Sequence, residues 1–184
     1  TGAKGDRGAT GAKGNVGGLQ KFLTTTGKIQ VDSSTGTITK TAGAGSNWNA
    51  QVHSAIAFKS GAYVTFQPTP SKPTIMVGLN TDPTKDASYT SIDYCIFLHE
   101  NNTVHIYENG KNKGSVATSY SPSDLFSITY DNAMIRYYRN GTLLKETAVS
   151  ANKVFYMDSS FHNHSKANTG VAMLEFGPLG SKGN

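Results

Sequence analysis

A single cysteine, Cys95, stands among the 184 residues, so no disulfide forms within the chain and its stability has to come from packing. Its setting, Ile92-Asp93-Tyr94-Cys95-Ile96-Phe97-Leu98, predicts a buried, inert thiol on a strand. No apolar run approaches the roughly 18 residues that a membrane-spanning helix needs, and no charged-then-apolar leader is visible, so membrane insertion is not expected. Seventeen Lys and Arg against 12 Asp and Glu give a net charge of +5 without the basic stripe that nucleic acid requires, so no nucleic-acid partner is expected. Long helical periodicity is missing too, residues 50–57 and 122–125 being good for a turn or two at most.

Glycine, by contrast, is abundant and patterned. Gly2, Gly5, Gly8, Gly11, Gly14 and Gly17 recur every third residue, and only glycine fits the crowded axis where three polyproline-type chains wind together. A flexible linker would scatter Gly and Ser. Here the intervening positions hold Ala, Lys, Asp, Arg, Thr, Asn and Val, with no serine. Lys4-Gly5-Asp6 sets a cation near an anion that can pair between staggered chains, in a stretch without proline. Gly177, Gly180 and Gly183 return to the same period, with Pro178 and Lys182 between them. Residues 1–18 and 177–184 therefore read as collagen-like Gly-X-Y segments, and a homotrimer is expected. So few triplets do not hold a triple helix alone, which requires either a longer stalk or a domain that trimerises. Val16, Leu19, Phe22 and Leu23 suggest an apolar collar where the chains splay, within a connecting β-hairpin and trimerisation collar over 19–46.

Between these segments the signals are those of strands. A hairpin is expected from 28–31 and 37–39, and further strands over 62–66, 74–79, 92–98, 103–108, 125–130, 134–139, 143–149, 154–157 and 171–176. Most are short, alternate in polarity and are rich in β-branched and aromatic residues. Asn101-Asn102, Asn109-Gly110, Asp131-Asn132 and Asn140-Gly141 supply residues that tolerate positive φ at the turns. About ten strands with no βαβ rhythm predict an all-β sandwich or barrel.

Three blocks carry a resemblance: Ser91-Ile92-Asp93-Tyr94-Cys95-Ile96-Phe97-Leu98, Thr103-Val104-His105-Ile106-Tyr107-Glu108-Asn109-Gly110, and Ile135-Arg136-Tyr137-Tyr138-Arg139-Asn140-Gly141-Thr142-Leu143-Leu144. The region 47–176 resembles the concanavalin A-like jelly-roll superfamily of legume lectins and laminin-G-like modules, including domains carried on viral and bacterial surface fibres. The resemblance implies a two-sheet jelly-roll β-sandwich. It rests on turn and core residues, and a fold does not transmit a function.

Candidate sites follow from residue chemistry. Sugar recognition needs an aromatic face with polar groups to fix hydroxyls. Trp48, the sole tryptophan, and Tyr89 and Tyr120, in Ser/Thr/Asp/Pro loops expected to be exposed at one rim, are the candidates, together with Asp86. Legume-type lectins hold calcium in an acidic loop. Asp82 and Asp86 are the nearest counterpart, but Lys85 between them argues against a dedicated cation loop. His162 and His164 would face one side of a strand and, at a threefold axis, could place six nitrogens about a metal; two loop histidines are the plainer reading. No cofactor is otherwise expected. Glu100, Glu108 and Asp93 do not form the carboxylate pair of a glycoside hydrolase, and His105, Arg136 and Tyr137 are a weak lyase inventory, so no enzyme is expected.

Together these readings imply a viral fibre or spike segment, as in a phage tail fibre at the virion surface, whose lectin-like domain meets host-surface glycan or receptor. The alternatives are a purely structural trimerisation or spacer module and a bacterial surface filament.

Overall fold

The computed structural model describes residues 22–26, 28–32, 34–42, 47–70, 73–162 and 169–180. The six amino-terminal Gly-X-Y glycines from Gly2 to Gly17, Gly183, His164, and Val16 and Leu19 of the expected apolar collar lie outside the described residues.

Fifteen strands run through the described residues: β1 (Phe22–Thr26), β2 (Lys28–Asp32), β3 (Thr37–Ala42), β4 (Trp48–Ser54), β5 (Phe58–Lys59), β6 (Ala62–Pro68), β7 (Ile75–Asn80), β8 (Tyr94–Leu98), β9 (Val104–Glu108), β10 (Lys111–Ala117), β11 (Phe126–Tyr130), β12 (Met134–Arg139), β13 (Thr142–Ala148), β14 (Val154–His162) and β15 (Thr169–Gly177). They form two antiparallel sheets. The first has the order β1-β4-β14-β7-β8-β9-β10, with β5 also paired to β14. The second has the order β13-β12-β11-β6-β15-β3-β2.

Period-two patterning explains how they pack. In β6, Ala62, Val64 and Phe66 point into the sandwich while Tyr63, Thr65 and Gln67 face outward, and β9 and β11 alternate in the same way. The core between the sheets gathers Val64, Phe66, Val77, Ile96, Ile106, Phe126, Ile128, Tyr130, Phe155 and Phe161, each fully buried. Every residue of β7 is buried on both faces, because the chain after it folds back over the outer side of its sheet. Two Asn-Gly hairpins close as their chemistry demands: Asn109 and Gly110 take φ of 51° and 71°, Asn140 and Gly141 take 51° and 79°.

Several expectations change. Residues 50–57, expected to form a helical turn or two at most, are largely strand β4, because a central position between β1 and β14 outweighs weak helical propensity. Among the described residues the helical content is one 3-10 turn, Tyr89–Ser91. The expected collar over 19–46 is not a separate unit over its described residues, since β1 extends the first sheet and β2 and β3 extend the second. Gly177, expected to start a Gly-X-Y segment, closes β15 opposite Tyr63, whose ring would lie 2.9 Å from a Cβ at that glycine.

Candidate functional site

Strand alternation alone would send Trp48 into the core with Ala50 and Val52. The register prevents it. Phe161 pairs with Ala50 and His162 with Trp48, so Asn49 is skipped as a β-bulge and Trp48 emerges on the outer face. The bulge is held by Lys40, only 6% exposed. Its ammonium donates to Asn49 Oδ1 at 3.0 Å and to the Phe161 carbonyl at 3.3 Å, while burial pulls its pKa below the usual lysine range.

Around Trp48 a second apolar cluster forms outside the main core, from Met76, Ile92, Cys95 and Phe97 with Tyr89 and Tyr107 packed on it. The rings meet at angles rather than face to face. Trp48 lies 5.0 Å from Tyr89, 5.2 Å from His162 and 5.6 Å from Phe97, and Phe97 lies 5.5 Å from Tyr107. Such tilted and edge contacts suit the aromatic quadrupole and lock each ring's orientation. The result is an open hollow of about 210 Å³ with Phe97 and Met76 among its lining residues and Glu100, His99 and His162 as polar groups. Glu100 is the one carboxylate among the lining residues.

Tyr89 is positioned by the segment that folds over β7. The Thr81 amide and hydroxyl both donate to Asp93 Oδ2, at 2.9 and 2.8 Å. Asp86 Oδ1 accepts from the Ser88 amide and the Ser91 hydroxyl, fixing the turn that bears Tyr89. Asp86 thus works as a local brace in this structure. The segment is fastened to the sheet by Gln51 Nε2 donating to the Pro83 carbonyl at 2.6 Å and Ser160 Oγ donating to the Ala87 carbonyl at 2.8 Å. Beneath it lies Asp158, 0% exposed, which accepts from Gln51 Nε2 and Asn80 Nδ2. Burial raises its carboxyl to about 7, and those hydrogen bonds only partly offset the rise.

Tyr120 differs from expectation. It is 6% exposed, not a rim side chain. Its hydroxyl lies 3.0 Å from the His99 carbonyl and 3.3 Å from the Pro73 carbonyl, so it braces from behind the two chain segments that bring Thr74, His99 and Glu100 to the hollow. Burial pushes its phenol up to about 12.

The structure brings Trp48, Tyr89 and His162 together and leaves Asp86 and Tyr120 in supporting positions. His162 packs on Trp48 instead of lying in a loop, and among the described residues no group of three or more His, Cys, Asp or Glu could hold a metal ion. Cys95 is buried as expected, its thiol donating to Met76 Sδ at 3.7 Å, and burial pushes the thiol up. Glu108, expected at a loop end, is buried and accepts from Thr147 Oγ1 at 2.6 Å and from the Tyr137 hydroxyl at 3.2 Å. His105, Arg136 and Tyr137 do not converge: Tyr137 is in the core, Arg136 is taken up by Asp131 and Glu146, and His105 belongs to the other sheet. Phe97, Tyr107 and Lys40 are the site residues that sequence reasoning missed. The alternation in β8 and β9 was visible, but nothing in the sequence says which outer face is lined.

No protein-family model and no curated protein sequence matches the chain. Solved structures do. The VIP36 exoplasmic/lumenal domain in its Ca2+/Man3GlcNAc-bound form superposes with a TM-score of 0.61 at 8% identity, covering 90% of this chain and 86% of that one. The Emp46p carbohydrate recognition domain gives 0.59 at 14% identity over 84% and 86%. A Bacillus licheniformis β-glucanase gives 0.51 at 12% identity over 84% and 89%. The chain therefore has a jelly-roll-like fold, an all-β sandwich of two antiparallel sheets, shared with these carbohydrate-recognition and glucanase structures.

Proposed function

We propose that this chain is a trimeric viral fibre or spike segment, of the kind a phage displays at its surface, whose lectin-like domain binds host-surface carbohydrate. The observation that carries the binding half is the aromatic hollow. Trp48 is turned out of the core by a bulge and locked against Tyr89, Phe97 and His162, an arrangement that offers an apolar platform to a sugar ring, with His99 and Glu100 beside it to meet hydroxyls. Its volume of about 210 Å³ suits a single ring or chain end more than a long embedded polymer. Binding without catalysis fits the lone carboxylate of the hollow, since glycoside hydrolysis of the usual kind uses two. The fibre half is supported by the strict Gly-X-Y period of the sequence. Three shallow sites on one stalk gain strength together on a surface of repeated epitopes.

The test is a glycan array probed with the wild-type chain and with Trp48→Ala and Tyr89→Ala. A signal that each variant lowers by about tenfold or more, a loss of roughly 1.4 kcal/mol in binding, supports the reading. Silence across a broad panel of host glycans favours the purely structural spacer.

A further inference from the structure

Strand directions place both ends of the domain at one pole. β1 opens with Phe22 opposite Ser54, the last residue of β4. β15 closes with Gly177 opposite Tyr63, at the start of β6. The connection from β4 to β6 spans the gap: Ser54 Oγ accepts from the Met157 amide at 3.0 Å, Phe58 pairs with Phe155, and the Phe58 ring sits 5.1 Å from that of Phe176. The aromatic hollow lies at the opposite pole, where β4 begins and β14 ends. The length of β14 separates the two by about 26 Å at roughly 3.3 Å per residue.

The pole where the chain enters and leaves also carries uncovered apolar surface. Ile56, just after β4, is 46% exposed, and Val154, the first residue of β14, is 42% exposed. Beside them a groove of about 620 Å³ runs between Phe58, Gly61, Asn132 and the departing segment at Leu179. The backbone there is closely seated, since a Cβ on Gly61 would come within 2.8 Å of the Leu179 carbonyl. The groove's carboxylate, Asp131, is already engaged by the amides of Ala133 and Met134 and by Arg136, so the surface makes no call for a cation.

Three chains that share a narrow axis on both sides of this domain would bring the same pole of every copy to that axis. We infer that this pole, with Ile56, Val154 and the groove beside Leu179, is the surface on which a second copy of the chain packs, so that the sandwich stands out sideways from the stalk and carries its hollow away from it. The inference rests on the trimeric reading above.

The experiment measures mass by light scattering on dilution, for the wild-type chain, for the double variant Ile56→Glu/Val154→Glu, and for Leu143→Glu, which alters an equally exposed apolar residue at the far pole. Far-ultraviolet circular dichroism checks that each folds, which the exposure of all three residues favours. The expected result is a wild-type trimer, unchanged by Leu143→Glu, that dissociates in the double variant at a concentration about tenfold higher or more. A wild-type trimer that the double variant leaves intact overturns this interface and spares the trimeric reading. A wild-type monomer overturns both.

Discussion

Asp158 carries a clear pH dependence. Burial raises its carboxyl to about 7, whereas in the unfolded chain it titrates near 3.8. Between those values the folded state holds a proton that the unfolded state has released, so this group makes stability fall as pH rises from about 4 to about 7. The slope is at most about 1.4 kcal/mol per pH unit. Asp158→Asn is expected to remove it, as read by chemical unfolding at several pH values; equal slopes in the two proteins would contradict the burial of a proton there. Asp124 and Asp131 act in the opposite direction at lower pH. Burial raises each, but hydrogen bonds to backbone amides and to Arg139 or Arg136 win, leaving both below the usual carboxylate range. Their contribution is present at neutral pH and is lost as the solution is acidified through those depressed values. Lys40→Met should change stability by about 1 kcal/mol at most, because losing the hydrogen bonds to Asn49 Oδ1 and the Phe161 carbonyl is offset by removing a charge that burial disfavours. It should weaken ligand binding by releasing the bulge that aims Trp48. Unchanged binding in a folded Lys40→Met protein would separate the lysine from the site.

The turns were legible in the sequence because their chemistry is local. Asn109-Gly110 and Asn140-Gly141 needed positive φ and have it. Their consequences differ in a way only the fold reveals. A Cβ at Gly141 meets nothing within 4 Å, while one at Gly110 would lie 2.9 Å from the Thr90 carbonyl, beneath the turn that carries Tyr89. Gly141→Ala should therefore cost about 1 kcal/mol from backbone strain. Gly110→Ala should cost more and also displace Tyr89, seen as a larger loss of thermal stability together with weaker binding. Strands with clean alternation, such as β6, β9 and β11, were legible for the same local reason. β4 and β10 were not: the residues of β4 were no better as strand than as helix until β1 and β14 flanked them, and Lys111–Ala117 is polar because it is an exposed edge. Gly78→Ala, in a strand buried on both faces, would put a Cβ 1.9 Å from the Tyr94 carbonyl. A loss of about 3 kcal/mol or more is expected, measurable as failure to accumulate folded protein.

For the whole molecule, the sandwich class could be read from turns and alternation, but the site could be read only in part. Trp48, Tyr89 and His162 were candidates by residue type, yet their meeting depends on a one-residue bulge and on a segment folded across β7, both long-range features. Tyr120 lay in a loop of Ser, Pro and Asp and looked exposed, but its ring fills the core and its hydroxyl braces the hollow from within. Composition does not distinguish an aromatic on a loop's surface from one that pins the loop down. On the proposed reading, the Gly-X-Y period and the shared pole at which the domain begins and ends belong to one larger object, a stalk with three lateral lobes. Because Trp48 is the sole tryptophan, its fluorescence reports on the hollow without labelling. On the proposed reading, titrating the chain with host-surface oligosaccharides should shift or quench that emission saturably, and Tyr89→Ala should weaken the effect. Emission that stays constant for a glycan shown by other means to bind the chain would place the binding site elsewhere and contradict this account.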